Sequence, residues 1–198
     1  LPEGEDFVLR SGRHYRNDIT EPELKAAVAG FIGQEVTHGR EHREINERLQ
    51  EMGYPTRLSD RFTKRSLATV YRHVPHRLSL SMTAAFEHYT ATLAALLLTE
   101  PRARDLITSE EVRGLLLWHA YEEVEHKAVA FDVYRHIGGG EGLRIWTMRA
   151  VHIIFLGYVL ISTVLSMLTD RATYNPVRLV RSLVALRRNP WLGRGVLR

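Results

Sequence analysis

The sequence contains no cysteine. Disulfide bonds, thiolate zinc sites, iron–sulfur clusters and cysteine nucleophiles are therefore excluded for these 198 residues. Any metal ion would have to be held by histidine, aspartate and glutamate, and the sequence offers 10 histidines. Because a cysteine-free chain fits a reducing compartment, we expect a cytoplasmic protein.

Two further features are missing at the amino end. The sequence has no initiator methionine and no recognisable signal peptide. It opens on LPEGEDF, in the middle of an element, so we interpret it as a trimmed chain whose first helix is incomplete. Hydrophobic residues make up 44% and charged residues 25%, which is typical of a globular domain large enough to bury a core.

Aspartate, glutamate, lysine and arginine are absent from residues 150–168, a run of 19 residues. About 20 apolar residues suffice to span a bilayer, so a membrane span is one interpretation. Four polar residues within the run favour another, in which the helix is buried on the rest of the domain or in a homodimer contact. They are His152, Ser162, Thr163 and Ser166.

The residues from Tyr174 onward combine arginine with valine and leucine, which predicts a basic amphipathic helix. Such a helix suits an anionic membrane surface, here the inner face of the membrane, and it suits equally the solvated face of a packed helix. Nucleic acid is disfavoured, because no recognition motif or interleaved aromatic residues accompany the arginines. The arginines are Arg178, Arg181, Arg187 and Arg188.

The stretch WHAYEEVEHKAVAFDVY, residues 118–134, has no helix breaker and is rich in metal-binding residue types. On a helix, His119, Glu122, Glu123 and His126 fall within an arc of about 100°. Glu123-x-x-His126 places a carboxylate and an imidazole one turn apart, the pair that dimetal helical bundles use. The alternative is a solvated charged face, but the neighbouring carboxylates would repel one another and apolar residues surround them.

A second Glu-x-x-His pair occurs at Glu35 and His38. His42 and Asn46 share their helical face, within an arc of about 100°. One such pair alone is typical of a polar surface, whereas two copies in one chain favour a shared metal site.

Glu87 lies in a third predicted helix among small residues of the same face. A carboxylate in a small, apolar surrounding is costly unless something neutralises it. The alternative is a rim residue paired with an arginine. The small residues are Thr83, Ala84, Ala91 and Ala94.

Start and stop signals divide the first 140 residues into four predicted helices. Capping boxes mark two starts, at Thr20–Glu23 and at Thr108–Glu111. The predicted helices run from Leu1 to Asn17, Thr20 to Glu51, His76 to Glu100 and Ser109 to His136, with a polar connector from Tyr54 to Leu67 and a break at Gly138–Gly140.

The four helices carry, in order, Glu5, the pair at Glu35, then Glu87, then the pair at Glu123. The spacings of 30 residues from Glu5 to Glu35 and 36 from Glu87 to Glu123 suit antiparallel hairpins that return to the same level. One Glu from each of two helices and one Glu-x-x-His from each of the others is the ligand plan of a dimetal four-helix bundle. We therefore expect an all-α bundle at 1–140, with one or two extra C-terminal helices at 141–198.

Four motifs together resemble a bacterial family labelled predicted metal-dependent hydrolases, which is similar in pattern to ferritin-like di-iron carboxylate proteins. The resemblance implies a ferritin-like bundle and, as ligands, Glu5, Glu35, His38, Glu87, Glu123 and His126. It leaves three roles open for His42, His119 and Glu122: partners that orient ligands, bridging groups, or ligands of a third metal. The motifs are PEGE at 2–5, GQEVTHGREH at 33–42, FEHYTA at 86–91 and the stretch at 118–134.

Four carboxylates and two imidazoles would hold two divalent metals, with iron preferred and manganese or zinc compatible. The first hypothesis is O2-dependent oxidation of a small hydrophobic substrate at a di-iron site. The second is hydrolysis of an ester or amide by a metal-bound hydroxide, with Glu122 or His119 as the catalytic base. The third is a metal-binding bundle without catalysis.

Overall fold

The computed structural model describes residues 2–53, 56–169, 171–186 and 189. All regular structure within these ranges is helical, so the all-α prediction is confirmed for them. Among the predicted positions, Leu1, Tyr54, Pro55, Arg187 and Arg188 lie outside the described residues. The side chains left undescribed within helices are those of Thr56, Leu58, Ser59, His126, Thr169, Arg171, Ala172 and Leu186.

The helices follow one another with short connections, and the chain forms two compact units. The first unit comprises Leu1–Tyr89 and Glu125–Met148, and the second comprises Thr90–Val124 and Arg149–Arg198. The helices are α1 (Pro2–Tyr15), α2 (Pro22–Glu51), α3 (Thr56–His73), α4 (His76–Thr99), α5 (Pro101–Arg104), α6 (Glu110–His126), α7 (Val129–His136), α8 (Glu141–Thr169) and α9 (Pro176–Leu186).

The start of α2 differs in detail from the prediction. Glu21 is the N-cap, with φ −75° and ψ 120°, and its side chain makes no capping hydrogen bond. The predicted capping box on Thr20 is therefore wrong, whereas Pro22 does occupy the first turn, where its missing N–H costs nothing. The predicted end is confirmed: the helix stops at Glu51, and Gly53 has φ +90°, which favours glycine.

The predicted polar connector is wrong for residues 56–67, which belong to α3. Tertiary contacts explain the difference, because α3 packs aromatic residues against α1. The rings of Phe7 and Tyr71 meet edge to face at a centroid distance of 6.2 Å, and the Tyr71 hydroxyl donates to the backbone oxygen of Arg10 at 3.4 Å. The residues of α3 are also amphipathic at the helical period, a signal that the connector prediction overlooked.

The predicted single helix over 109–136 is also wrong, because a turn at Lys127–Ala128 separates α6 from α7. Neither residue is glycine or proline, so the sequence carries no local signal for the interruption. The helix starts at Glu110, close to the prediction, but the backbone N–H of Val112 donates to Oγ of Ser109 at 3.4 Å, so Ser109 is the cap and the predicted capping box on Thr108 is wrong.

The first unit has a core around Leu80, Val133 and Tyr134, with Ile19 and Val28. The Tyr134 hydroxyl donates to the backbone oxygen of Gly140 at 2.7 Å and so holds the glycine run. Gly138 has φ +73°, as expected for a helix-ending glycine. The predicted break at Gly138–Gly140 is thus confirmed.

The second unit has its own core, formed by Ala94, Leu97, Ala103 and Ala120.

The predicted apolar helix forms as part of α8, but its side chains are exposed in this chain. One 18-residue window has a mean hydropathy of 2.2, and only 6% of it is buried. Burial of this segment within the chain, one of the two interpretations, is therefore not observed. The predicted basic helix forms as α9, capped by the Asn175 side chain, which accepts from the N–H groups of Val177 and Arg178 at 3.1 and 3.2 Å.

Candidate metal centre

Helices α1 and α2 bring three of the predicted ligands together in the first unit. One ligand atom from each of Glu5, Glu35 and His38 lies within 4.8 Å of the other two. Glu35 and His38 are one turn apart on α2, and Oε1 of Glu35 lies 3.5 Å from Nδ1 of His38. The Glu-x-x-His motif therefore presents both donors on one face, as the helical period requires.

The cluster is buried: Glu35 is 1% and His38 0% exposed. Removing a carboxylate from water costs several kcal/mol unless a positive charge and hydrogen bonds compensate. Two carboxylates and an imidazole at such separations form the oxygen and nitrogen donor set that divalent iron, manganese and zinc accept. The residues present thus fit a divalent metal ion.

His42 adds a second imidazole from the next turn of α2. Its Nε2 atom lies 3.3 Å from Oε1 of Glu5. Burial alone would raise the pKa of the Glu5 carboxyl, but hydrogen bonding to His42 and Glu35 outweighs it and lowers this pKa to about 2. Glu5 is therefore ionised at neutral pH, in the state that a metal ligand needs.

Glu87 on α4 brings a further buried carboxyl, only 3% exposed, so the predicted rim alternative is not observed. Burial raises its pKa well above the usual value, and the negative charge of Glu5 raises it further. Thr83 and Ala84 on the same helix are buried, as the small-residue pattern predicts. The first unit thus concentrates carboxyl groups whose mutual repulsion a cation would relieve.

Gly39 is a positioning residue that the sequence analysis missed. A Cβ atom at this site would lie 3.6 Å from Cβ of Glu5 and 3.2 Å from Nη2 of Arg43. The missing side chain lets α1 approach α2 at the level of the cluster. Arg43 also lies 3.5 Å from Asp6, which adds an ion pair between the two helices. The signal available in the sequence was a glycine directly after His38.

Helix α6 carries the other predicted residues, with His119, Glu122 and Glu123 in the second unit and His126 in the first. Nε2 of His119 lies 3.2 Å from Oε1 of Glu123, one turn apart along the helix. Glu123 is 4% exposed and Glu122 is half-buried. The backbone of His126 ends α6, and its side chain lies outside the described part. The interpretation of this stretch as a fully solvated face does not hold for Glu123.

The structure therefore brings Glu5, Glu35 and His38 together, places His42 on Glu5, and pairs His119 with Glu123. The participation of His119, Glu122, Glu123 and His126 in the same centre stays a prediction.

Comparison with known protein families gives a match that covers the whole chain. The model of a family described as predicted metal-dependent hydrolase matches residues 1–198. No curated protein and no solved structure matches the chain. The family description agrees with the buried carboxylate–histidine cluster found in the first unit. The chain belongs to the predicted metal-dependent hydrolase family.

Proposed function

We propose that this protein is a metal-dependent enzyme whose centre is built on Glu5, Glu35 and His38. The supporting observation is the clustering of their donor atoms within 4.8 Å of one another in the buried part of the first unit. Carboxylates crowded together in a buried cluster repel one another, and a bound cation would lower that cost, so a metal gives this arrangement a physical reason. The ferritin-like four-helix architecture is part of this proposal.

Each residue has a distinct task in the proposed centre. Glu35 and His38 supply an oxygen and a nitrogen ligand from a rigid helix, which fixes their separation. His42 orients Glu5 and keeps it ionised through their 3.3 Å contact. Glu87 supplies a further carboxyl once its proton has been displaced. A bound divalent metal would polarise a substrate oxygen or activate water and, as iron, would react with O2.

Oxidation of a small hydrophobic substrate with O2 is our first candidate for the chemistry. The donor set is rich in carboxylates and has no sulfur, which suits iron and manganese better than softer metals. The second Glu-x-x-His pair, Glu123 and His126, completes the ligand plan of a di-iron site in the sequence. We propose iron as the metal in this case.

Hydrolysis of an ester or amide is the second candidate, and the description of the family favours it. In this case, Glu122 or His119 acts as the base that takes a proton from water. Both lie on α6, where His119 is held by its contact with Glu123. Zinc or manganese would serve this chemistry without O2.

Metal analysis of protein purified without air separates the candidates. Bound iron with a new near-ultraviolet or visible band after exposure to O2 would support oxidation. Bound zinc or manganese, with no response to O2 and with turnover of test esters, would support hydrolysis. Glu35→Gln should lose the metal under both candidates, whereas Glu44→Gln, the same change at an exposed position of α2, should keep it. Equal metal content in both variants would overturn the proposal.

A further inference from the structure

The apolar part of α8 is exposed around most of its circumference. At 100° per residue, Ile153, Ile154, Leu156, Tyr158 and Val159 point in directions spread over about 260°. Their exposed fractions run from 42% for Tyr158 to 70% for Ile153. A helix that packs on a protein usually concentrates its apolar residues on one face, whereas a helix in lipid is apolar all round. The surface of α8 therefore suits lipid.

The length of this apolar run matches the hydrocarbon layer of a bilayer. The 19 residues from 150 to 168 correspond to about 28 Å at 1.5 Å per residue, against a layer of about 30 Å. Within the run, the hydroxyl of Thr163 donates to the backbone oxygen of Val159 at 2.7 Å. Its polar hydrogen is therefore satisfied inside the helix, as an apolar surrounding requires.

Helix α9 adds positive charge directly after this run. Arg178 and Arg181 are exposed, and Val180, Leu183 and Val184 are exposed beside them at 59%, 53% and 52%. An amphipathic helix of this kind rests in the headgroup region, with its apolar residues towards the chains and its arginines on anionic headgroups. The exposed arginines and the exposed apolar residues of α9 therefore both fit an anionic lipid surface.

We infer that residues 150–168 of α8 cross a lipid bilayer and that α9 lies on its anionic surface. The inference is independent of the metal centre, because none of the proposed ligands lies on α8 or α9. It would bring the enzyme close to hydrophobic molecules dissolved in the membrane.

Site-specific labelling tests the inference directly, because these 198 residues contain no cysteine. Leu160→Cys, near the middle of the run, would carry one polarity-sensitive dye. Phe62→Cys is the matched control, since Phe62 is an apolar residue of α3 with a similar exposure of 69%, against 65% for Leu160. The variants of the 198-residue chain would be mixed with vesicles of phosphatidylcholine and phosphatidylserine.

With vesicles present, the emission of the dye at Leu160→Cys should shift to the blue. A quencher placed deep in the bilayer should quench this emission, whereas an aqueous quencher should not. The dye at Phe62 should stay accessible to water. A Leu160 dye that remains open to the aqueous quencher with vesicles would overturn the inference. Equal shielding of that dye without vesicles, in a protein that sediments as a dimer, would overturn it in favour of a second copy of the chain.

Substitutions provide a second measurement. Ile154→Lys with Ile161→Lys should weaken vesicle partitioning on the order of a hundredfold or more, because a charge near the bilayer centre is costly. Phe62→Lys should leave partitioning unchanged. Arg178→Gln and Arg181→Gln should each weaken binding to anionic vesicles about fivefold, with no such loss on neutral vesicles. Unchanged partitioning of the double lysine variant would contradict the inference.

Discussion

Oε1 of Glu35 lies 3.5 Å from Nδ1 of His38, and both side chains are almost completely shielded from solvent. A carboxylate and an imidazole held one turn apart in this way cannot relax into water without displacing the helix. The interior of the first unit therefore contains a fixed pair of donors. Glu5 completes a group of three from the neighbouring helix.

The first prediction concerns His42, which contacts Glu5 but is not among the three clustered ligands. His42→Ala should leave the fold intact, because His42 is 27% exposed, and should weaken metal binding by about 10- to 100-fold, the usual effect of losing a residue that orients a ligand. Competition with a chromophoric chelator measures this. His73→Ala, the same change at an exposed histidine of α3, should bind metal like the natural protein. Equal affinities for both variants would exclude the orienting role.

The second prediction concerns Glu87. Its replacement should stabilise the metal-free protein against unfolding but weaken the binding of metal. Burial and the charge of Glu5 raise its pKa above the ordinary 4.5, so the folded chain retains a proton that the unfolded chain releases. The free energy of unfolding of the metal-free protein therefore falls as the pH rises through the range above 4.5. Glu87→Gln removes this loss. Its Tm should exceed that of the natural protein by about 2–4 °C at neutral pH, with a smaller difference near pH 5.

Thermal unfolding of metal-stripped protein at several pH values provides the measurement for Glu87. Glu44→Gln serves as the control and should give no pH-dependent difference, because Glu44 is exposed. A lower Tm for Glu87→Gln at all pH values would contradict the electrostatic account. With metal present the order should reverse, since the glutamine variant binds metal more weakly.

The third prediction concerns the turn after α7. A Cβ atom on Gly139 would overlap the ring of Tyr134, which is fully buried and hydrogen-bonded to Gly140. Gly139→Ala should therefore destabilise the fold by about 1–3 kcal/mol, as overpacking does. Gly140→Ala meets nothing within 4 Å and should change stability by less than about 0.5 kcal/mol. Urea unfolding distinguishes them, and equal stability of both variants would disprove the steric argument.

The sequence predicted the strongest local features well, because they depend on helical period and on breakers. Glu35 and His38 were assigned to one face from their spacing alone, and the end of α2 near Gly53 follows from glycine chemistry. The burial of Glu87 was also anticipated, from the small residues of its helix. These inferences need no knowledge of distant contacts.

Features that depend on tertiary contact were not predicted. Helix α3 is polar, and its packing of Tyr71 against Phe7 joins residues far apart in the chain. The interruption at Lys127–Ala128 contains neither glycine nor proline. The role of Gly39 depends on the close approach of α1, which the local sequence does not specify. Tertiary packing overrides local preference at such positions.

The most direct test of the central claim is a crystal structure of the protein loaded with Mn(II), with diffraction recorded at an energy where manganese scatters anomalously. We expect an anomalous peak in contact with Glu5, Glu35 and His38, with metal–ligand distances of about 2.0–2.3 Å. Peaks only elsewhere on the protein, or none despite saturating Mn(II), would contradict it.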